Sequence, residues 1–288
     1  MSGILSSLGF GKGAKPSEPN RIFRPMTDAD VGPILEIIYA HDEDDGEDAE
    51  ATFAETLADK YVMQFEGRLM GMTGFRPDPD SPNTAWLSFT YIHEAFRRKN
   101  SAYWMMLELR EVLEADGIER LFIATSDYID EETGEDIYLA ARTFYEKKLN
   151  ASFELKVDDF YAPGESKYIY SLPVSDRAIA ETPPSTDKKA RFVGLDPASE
   201  SDTSYVAQWE EVSLDESDIE LALPTKSLSE LKDEVKSYGG KAFFITLPDN
   251  ISVHHSADLK ASGFKELGQL SDYFSKGVNE VYWGLYFA

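Results

Sequence analysis

Between Phe96 and Ala102 the chain reads FRRKNSA: three cations, then Asn100 and two small residues, at the point where an amphipathic helix begins. A helix start carries N–H groups with no intrahelical acceptor and the positive end of the backbone dipole. Arg97, Arg98 and Lys99 beside it therefore make a seat for a diphosphate. The same residues fit a solvated basic turn, because no Gly-rich loop of the nucleotide-binding types is present. A second cluster, seven acids among the nine residues 42–50, fits either a solvated, mobile run or the border of a site that draws in cations. His254 and His255 are adjacent in a predicted loop without partners, so no metal site is assigned.

The elements that must position the basic turn are two strands and the helix between them. Residues 85–92 (AWLSFTYI) are rich in aromatic and β-branched types, and residues 121–126 (LFIATS) form a short apolar run. Between them Ala102, Met105, Met106, Leu109, Val112 and Leu113 recur at helical spacing and Gly117 marks the stop. A strand, a helix and a strand in this order predict a right-handed βαβ unit with parallel strands.

Upstream, residues 1–20 read as a flexible Gly- and Ser-containing leader. RIFRPM is a predicted strand, and Thr27 and Asp28 are candidate caps for a helix through Ile38, with Asp30 in its first turn. A second short helix carries Phe53 and Leu57, and YVMQFEGRLMGMTGFRP reads as two strands joined at Glu66-Gly67. PDPDSPN reads as a loop. Downstream, DYIDEETGED reads as an acidic loop, and a helix over residues 137–148 presents Tyr138, Ala141, Tyr145 and Leu149 on one face, with Asn150 at its C-terminal end. FELKVDDFY and KYIYSLPV are two further strands linked by APGE. Residues 175–189, with Pro183-Pro184, read as a linker.

The formal net charge of the 288 residues is −25, which repels a phosphate backbone and makes nucleic acid a poor partner. Absence of cysteine excludes disulfides and thiolate chemistry. Neither a membrane span nor a continuous signal-peptide core is apparent, so the default expectation is a soluble cytoplasmic protein without membrane partners.

Residues from about 190 onward repeat what precedes them. Gly74-Phe75-Arg76-Pro77 aligns with Gly194-Leu195-Asp196-Pro197 at an offset of 120 residues, LREVLEADGIERLFIAT with LKDEVKSYGGKAFFIT at 122, and DDFYAPGESKYIYSL with SDYFSKGVNEVYWGL at 113. The expected account is a duplication. At the basic turn the second copy has DESDIEL, Tyr145 becomes Asp258, and nothing corresponds to residues 21–60. The second copy is thus expected to be a non-catalytic structural partner.

This order of elements over residues 21–172 resembles the GNAT superfamily of acetyl-CoA-dependent N-acyltransferases. Arg97, Asn100 and Ala102 fall on the family's Gln/Arg-x-x-Gly-x-Gly/Ala loop, with Asn100 in place of glycine, and FYEKKLNASFEL is similar to its FYEKLGF segment. The resemblance implies an α/β fold: a mixed, mostly antiparallel sheet with a central, splayed parallel pair flanked by helices. It places a leader at 1–20, a catalytic domain at 21–174, a linker at 175–189 and a truncated GNAT-like domain at 190–288. By it, the main chain at Tyr91, Ile92 and His93 holds the pantetheine arm of acetyl-CoA. Arg97, Arg98, Lys99, Asn100, Ser101 and Ala102 form the cofactor-binding turn, whose amides from Arg98 onward hold the pyrophosphate. Tyr145 protonates the leaving thiolate after direct attack by a primary amine. That amine must first lose a proton, for which Glu94, His93 and Asp127 are candidates, Glu94 being the one assigned. The acceptor is expected to be a small, cationic amine, and the chain a monomer holding an internal pseudo-dimer or else a homodimer. The alternative is a non-catalytic module that binds acyl-CoA or a protein.

Overall fold

The computed structural model describes residues 20–175, 187–199, 201–214 and 225–287. The expected leader, most of the expected linker and the DESDIEL segment lie outside the described residues. The chain divides into two compact units: one holds the described residues up to Ile123, Phe144–Ala151 and 172–175; the other holds the rest.

In the first unit, strand β1 (Arg21–Pro25) leads into helices α1 (Asp28–Tyr39) and α2 (Glu43–Glu55), then β2 (Lys60–Phe65), β3 (Arg68–Asp78), β4 (Ser81–Leu87), β5 (Tyr91–Ile92), α3 (Ser101–Ala115) and β6 (Arg120–Ser126). The sheet order is β1-β2-β3-β4-β6, with β5 paired to β3. All these pairings are antiparallel except β4 with β6, which is parallel. Alternation sends Val62 and Met63 of β2 to opposite faces, and the register shift opposite Met63/Gln64 turns Met70 of β3 to the face opposite Met72. Val62 and Met72 pack under Ile34, Ile37, Ile38, Ala49 and Phe53 of α1 and α2, while Met63 and Met70 meet Met105 of α3.

Three sequence expectations change in this unit. The strand expected over 85–92 is broken at Ser88–Thr90 into β4 and β5, and each piece pairs with a different stretch of β3. PDPDSPN is not a loop throughout: β3 runs to Asp78 and β4 starts at Ser81, leaving a tight turn. The acidic run is helical, because Asp42 caps α2 by accepting the Asp45 N–H at 2.9 Å and the first-turn acids Glu43, Asp44 and Asp45 face the positive end of the helix dipole.

Helix α1 is fixed at its start by a buried carboxylate. Asp30 takes both terminal nitrogens of Arg24, at 2.7 and 2.8 Å, and also accepts the Thr27 N–H and hydroxyl. These bonds, Arg24 foremost, pull the Asp30 pKa down to about 2.

The second unit holds the β7 (Ser152–Ala162) and β8 (Glu165–Pro173) hairpin up to Ser171. With it is a five-stranded sheet ordered β12-β13-β11-β10-β9 from strands β9 (Lys188–Pro197), β10 (Ser204–Ser213), β11 (Ala242–Pro248), β12 (Lys265–Ser275) and β13 (Val278–Tyr286). Helices α5 (Leu228–Ser237) and α6 (Asp249–Ala261) cover one face of that sheet, burying Leu231, Val235, Ile251 and Leu259 against Phe243, Ile245 and Trp283. Another helix, α4 (Leu139–Lys147), is the one expected over 137–148.

The internal repeat is visible in strand register. Parallel pairs Thr84↔Arg120, Ala85↔Leu121 and Trp86↔Phe122 recur as Ser204↔Ala242, Tyr205↔Phe243 and Val206↔Phe244, at the offsets of 120 and 122 read from sequence. Antiparallel pairs Phe75↔Leu87, Arg76↔Trp86 and Pro77↔Ala85 recur as Leu195↔Ala207, Asp196↔Val206 and Pro197↔Tyr205. In the hairpins, Asp159 (φ 53°) receives the Gly164 N–H at 2.7 Å, and Asp272 (φ 52°) receives the Gly277 N–H at 2.7 Å. A shortened second copy of the strand pattern therefore follows the first in the chain, beginning at the equivalent of β3. The equivalent strands β7 and β12 lie together: Leu155 is the side chain that any Cβ on Gly268 would strike, and Glu154 accepts the Ser271 N–H at 3.3 Å.

His254 and His255 do not lie in a loop; both are on α6. His255 Nε2 accepts the Ala190 N–H at 3.0 Å, and burial lowers its pKa. An imidazole whose folded pKa is depressed favours folding above its unfolded value of about 6.5, and that advantage is lost as pH falls below it. Equilibrium unfolding should show stability declining from pH 7 to 5, and His255→Gln should flatten this slope; an unchanged slope would place the sensitivity elsewhere. Asp30→Asn should cost about 2 kcal/mol at pH 7 in denaturant titration. Because the folded Asp30 pKa is depressed, the cost should vanish as pH falls through about 4 toward 2.

Candidate functional site

The segment Tyr91–Ala102 runs from β5 through a 3-10 turn, Glu94–Phe96, into α3. Its entry is fixed by Gly71, which pairs with Ile92: a Cβ there would come within 2.0 Å of the Tyr91 carbonyl oxygen, so only glycine lets β5 approach β3. The Tyr91 side chain goes to the α1–α2 face and its hydroxyl donates to Asp45, while Ile92 packs on the α3 side. His93 opens the 3-10 turn and accepts the Ala95 N–H at Nδ1, 3.1 Å away. Glu94 is exposed.

The basic residues that follow are tied back onto the main chain. Arg97 Nε donates to the Ile92 carbonyl at 3.0 Å and Lys99 Nζ to the Ala95 carbonyl at 2.9 Å. Arg98 and Asn100 both take left-handed backbone angles, φ 60° and 58°. Asparagine adopts these at modest cost, so the backbone at Asn100 takes the left-handed angle that a glycine would. Ser101 Oγ donates to the Phe96 carbonyl at 2.7 Å, closing the turn. The first intrahelical bond of α3 is Trp104 N–H to the Asn100 carbonyl, and the Asn100 side chain does not cap. The N–H groups of Ser101, Ala102 and Tyr103 thus lead into α3 ahead of its hydrogen-bond ladder, as a diphosphate seat requires.

The ladder between β4 and β6 stops at Trp86↔Phe122, although β6 continues to Ser126 and the chain after β4 resumes as β5 on β3. This is the divergence expected of the parallel pair. Tyr145, on α4, is 8% exposed, and burial alone raises its pKa to about 12, which keeps the phenol protonated. Asp127, in the second unit, accepts the Ser166 N–H at 2.7 Å and lies 3.7 Å from Lys156.

Four residues near the segment are not among the individually expected site residues, although Asp45 belongs to the acidic run 42–50 that could border a site. The His41 ring lies edge-on to Tyr91, 5.5 Å between centroids, and its pKa is lowered by burial and by Arg97. Asp45 holds the Tyr91 hydroxyl. Glu36 and Arg68 join His93, Glu94 and Arg97 around a cavity of about 550 Å³ whose apolar wall includes Ile37. Of the expected cofactor set only His93 and Arg97 line this cavity, together with Glu94, the expected base; Tyr91, Ile92 and the residues from Arg98 to Ala102 do not. Sequence offered only weak signals for the four, since each comes from an element more than twenty residues upstream.

Residues 30–150 match the sequence model of the acetyltransferase (GNAT) family. No curated protein matches the chain. Similar solved structures include a GNAT-family protein from Desulfovibrio desulfuricans, 20% identical, covering 54% of this chain and 99% of that one with a TM-score of 0.48. An aminoglycoside 6'-N-acetyltransferase complexed with coenzyme A is 11% identical, covering 54% of this chain and 98% of that one with a TM-score of 0.45. The ribosomal-protein-S18-alanine N-acetyltransferase from Escherichia coli is 14% identical, covering 55% and 96% with a TM-score of 0.44. The stretch from residue 30 to residue 150 is a domain of the GNAT acetyltransferase family.

Proposed function

We propose that the protein is an N-acetyltransferase that uses acetyl-CoA as cosubstrate and a small primary amine as acceptor. The observation that carries this reading is the start of α3, where left-handed Arg98 and Asn100 present amides of a GNAT domain ahead of the first helical hydrogen bond. Acetyl-CoA supplies an activated acyl group as a thioester, and the chain's residues hold it and manage protons. Amides from Arg98 to Ala102 grip the linked phosphates, with Arg98 and Lys99 adding charge. The main chain of Tyr91, Ile92 and His93 aligns the pantetheine arm, and Arg97 holds that stretch by its bond to Ile92.

Nucleophilic attack needs a neutral amine, so a carboxylate must accept the ammonium proton; Glu94, exposed beside His93, is assigned this task. Tyr145 donates its phenolic proton to the departing thiolate. The phenol is protonated at neutral pH, and the same burial that raises its pKa to about 12 also disfavours a free phenolate, so the proton must be regained from solvent or the amine after transfer. The acidic face of α2 favours a cationic acceptor. Packing of β7 on β12 within the second unit uses the strand that the repeat equates with it, which supports a monomer with its pseudo-dimer contact inside one chain. No helix among the described residues is long and apolar enough to cross a membrane, and a cytoplasmic setting suits a CoA thioester.

One observation favours the second reading, a module that binds acyl-CoA without transfer: Tyr145 is as buried as a core aromatic. Isothermal titration with acetyl-CoA, followed by mass spectrometry of an amine panel, separates the two. Acetylated amine supports the enzyme; saturable binding without any product supports the module; no binding at millimolar acetyl-CoA rejects both. Tyr145→Phe should lower kcat about a hundredfold with little change in cofactor affinity, and an unchanged rate would return Tyr145 to the core. Asn100→Gly should preserve acetyl-CoA affinity, because glycine adopts the same left-handed angles, whereas Asn100→Val should weaken it in the same titration.

A further inference from the structure

The cavity beside α1 carries charges of both signs that do not neutralise one another. Glu36 and Glu94 lie on its rim with Arg68 and Arg97, and among the described residues none of the four forms an ion pair with another. Both guanidinium groups are held in place from behind: Arg97 by its Nε bond to the Ile92 carbonyl, Arg68 by the Phe96 ring, 5.5 Å from Cζ to centroid. Arg97 keeps its two terminal nitrogens for a ligand, and Arg68 keeps all of its donors. The glutamates come from separate elements, α1 and the turn after β5, so they are not a local acidic run.

We infer that this cavity binds a small zwitterion of the amino-acid or short-peptide class, its ammonium toward Glu36 and Glu94 and its carboxylate toward Arg68 and Arg97. A singly charged ligand would leave one pair of like charges facing it across a concave surface, which disfavours it by Coulomb repulsion. Planar guanidinium matches a carboxylate through paired N–H donors, and a carboxylate pair accepts the three N–H groups of an ammonium. The volume, about 550 Å³, lies in the range of small-molecule sites and exceeds one amino acid, leaving room for a dipeptide's side chains over Ile37. Amides at the start of α3 do not line the cavity, so it is distinct from the proposed phosphate seat. It includes Glu94, the proposed base, so on the acyl-transfer reading the zwitterion's ammonium is the acceptor amine, while the binding itself is testable without acetyl-CoA.

Calorimetric titration of the full chain with L-alanyl-L-alanine, its N-acetyl derivative and its C-terminal amide tests the inference. The free dipeptide should bind, and each capped form should bind at least about tenfold more weakly, the loss expected for one charge-assisted contact. Arg68→Gln should erase the preference over the amide, and Glu36→Gln the preference over the N-acetyl form. Equal binding of the three peptides, or none at millimolar concentration, overturns it. The capped-peptide comparison needs no variant, so loss of fold in either substitution leaves the test intact. Titration of acetyl-CoA into the same sample reports separately on the acyl-transfer reading.

Discussion

Only three partner pairs join the parallel strands β4 and β6, and the position of everything chemical follows from where that ladder ends. Parallel neighbours cannot be joined by a hairpin, so the chain must cross over through α3, whose start is thereby set beyond the end of the upper strand. The break at Ser88–Thr90 re-aims the chain toward β3, where Gly71 accepts it by lacking a side chain. Had β4 run straight on, its ladder with β6 could extend through residue 90, opposite the end of β6 at Ser126, and leave no divergence for an extended ligand. Backbone geometry, more than side-chain identity, makes the site.

The second copy shows how little of this depends on function. Its parallel ladder ends at the same relative rung, and a β-bulge at Gln208/Trp209 falls at the offset equivalent of Ser88/Phe89. Yet β9 and β10 remain paired from Ser213 back to Tyr205, and Asp258 stands where Tyr145 would be. The fold survives because its demands are met by apolar registers, Phe243 and Ile245 beneath Leu231 and Val235. Left-handed Asp159 and Asp272 recur for the same reason: each turns its hairpin by taking an N–H five residues on, a local bond indifferent to chemistry elsewhere.

Local and periodic information was legible in the sequence; long-range placement was not. The βαβ unit, the Glu66-Gly67 hairpin and the offsets of 120, 122 and 113 all rest on spacing, and strand registers reproduce them. Asn100 was read as tolerant of left-handed angles from its side chain alone, and it adopts φ 58°. Composition is right in part at the acidic run: its seven like charges stay exposed or partly so, as a solvated segment requires, yet the segment is a helix. An N-cap, the dipole and two inward residues, Ala49 and Phe53, outweigh their repulsion. The cavity set was out of reach for a different reason: Glu36, Arg68 and Arg97 meet only through the stacking of α1 on the sheet, and nothing in their own neighbourhoods announces it.

Charge distribution links these observations. With a net charge of −25, an unpaired arginine would be expected to find a carboxylate, and several do: Arg24 takes Asp30, Arg142 takes Asp136 and Arg191 takes Glu210. Arg68 and Arg97 instead spend their contacts on an aromatic ring and a carbonyl oxygen, with acids nearby on the same rim. Each backing contact engages one face or one nitrogen of its guanidinium and leaves the remaining donors directed to other partners. Arg97 also acts beyond the cavity: after desolvation, its positive charge is the second cause that lowers the pKa of His41, which lies edge-on to Tyr91, against the opposing pull of Asp42 and Asp45.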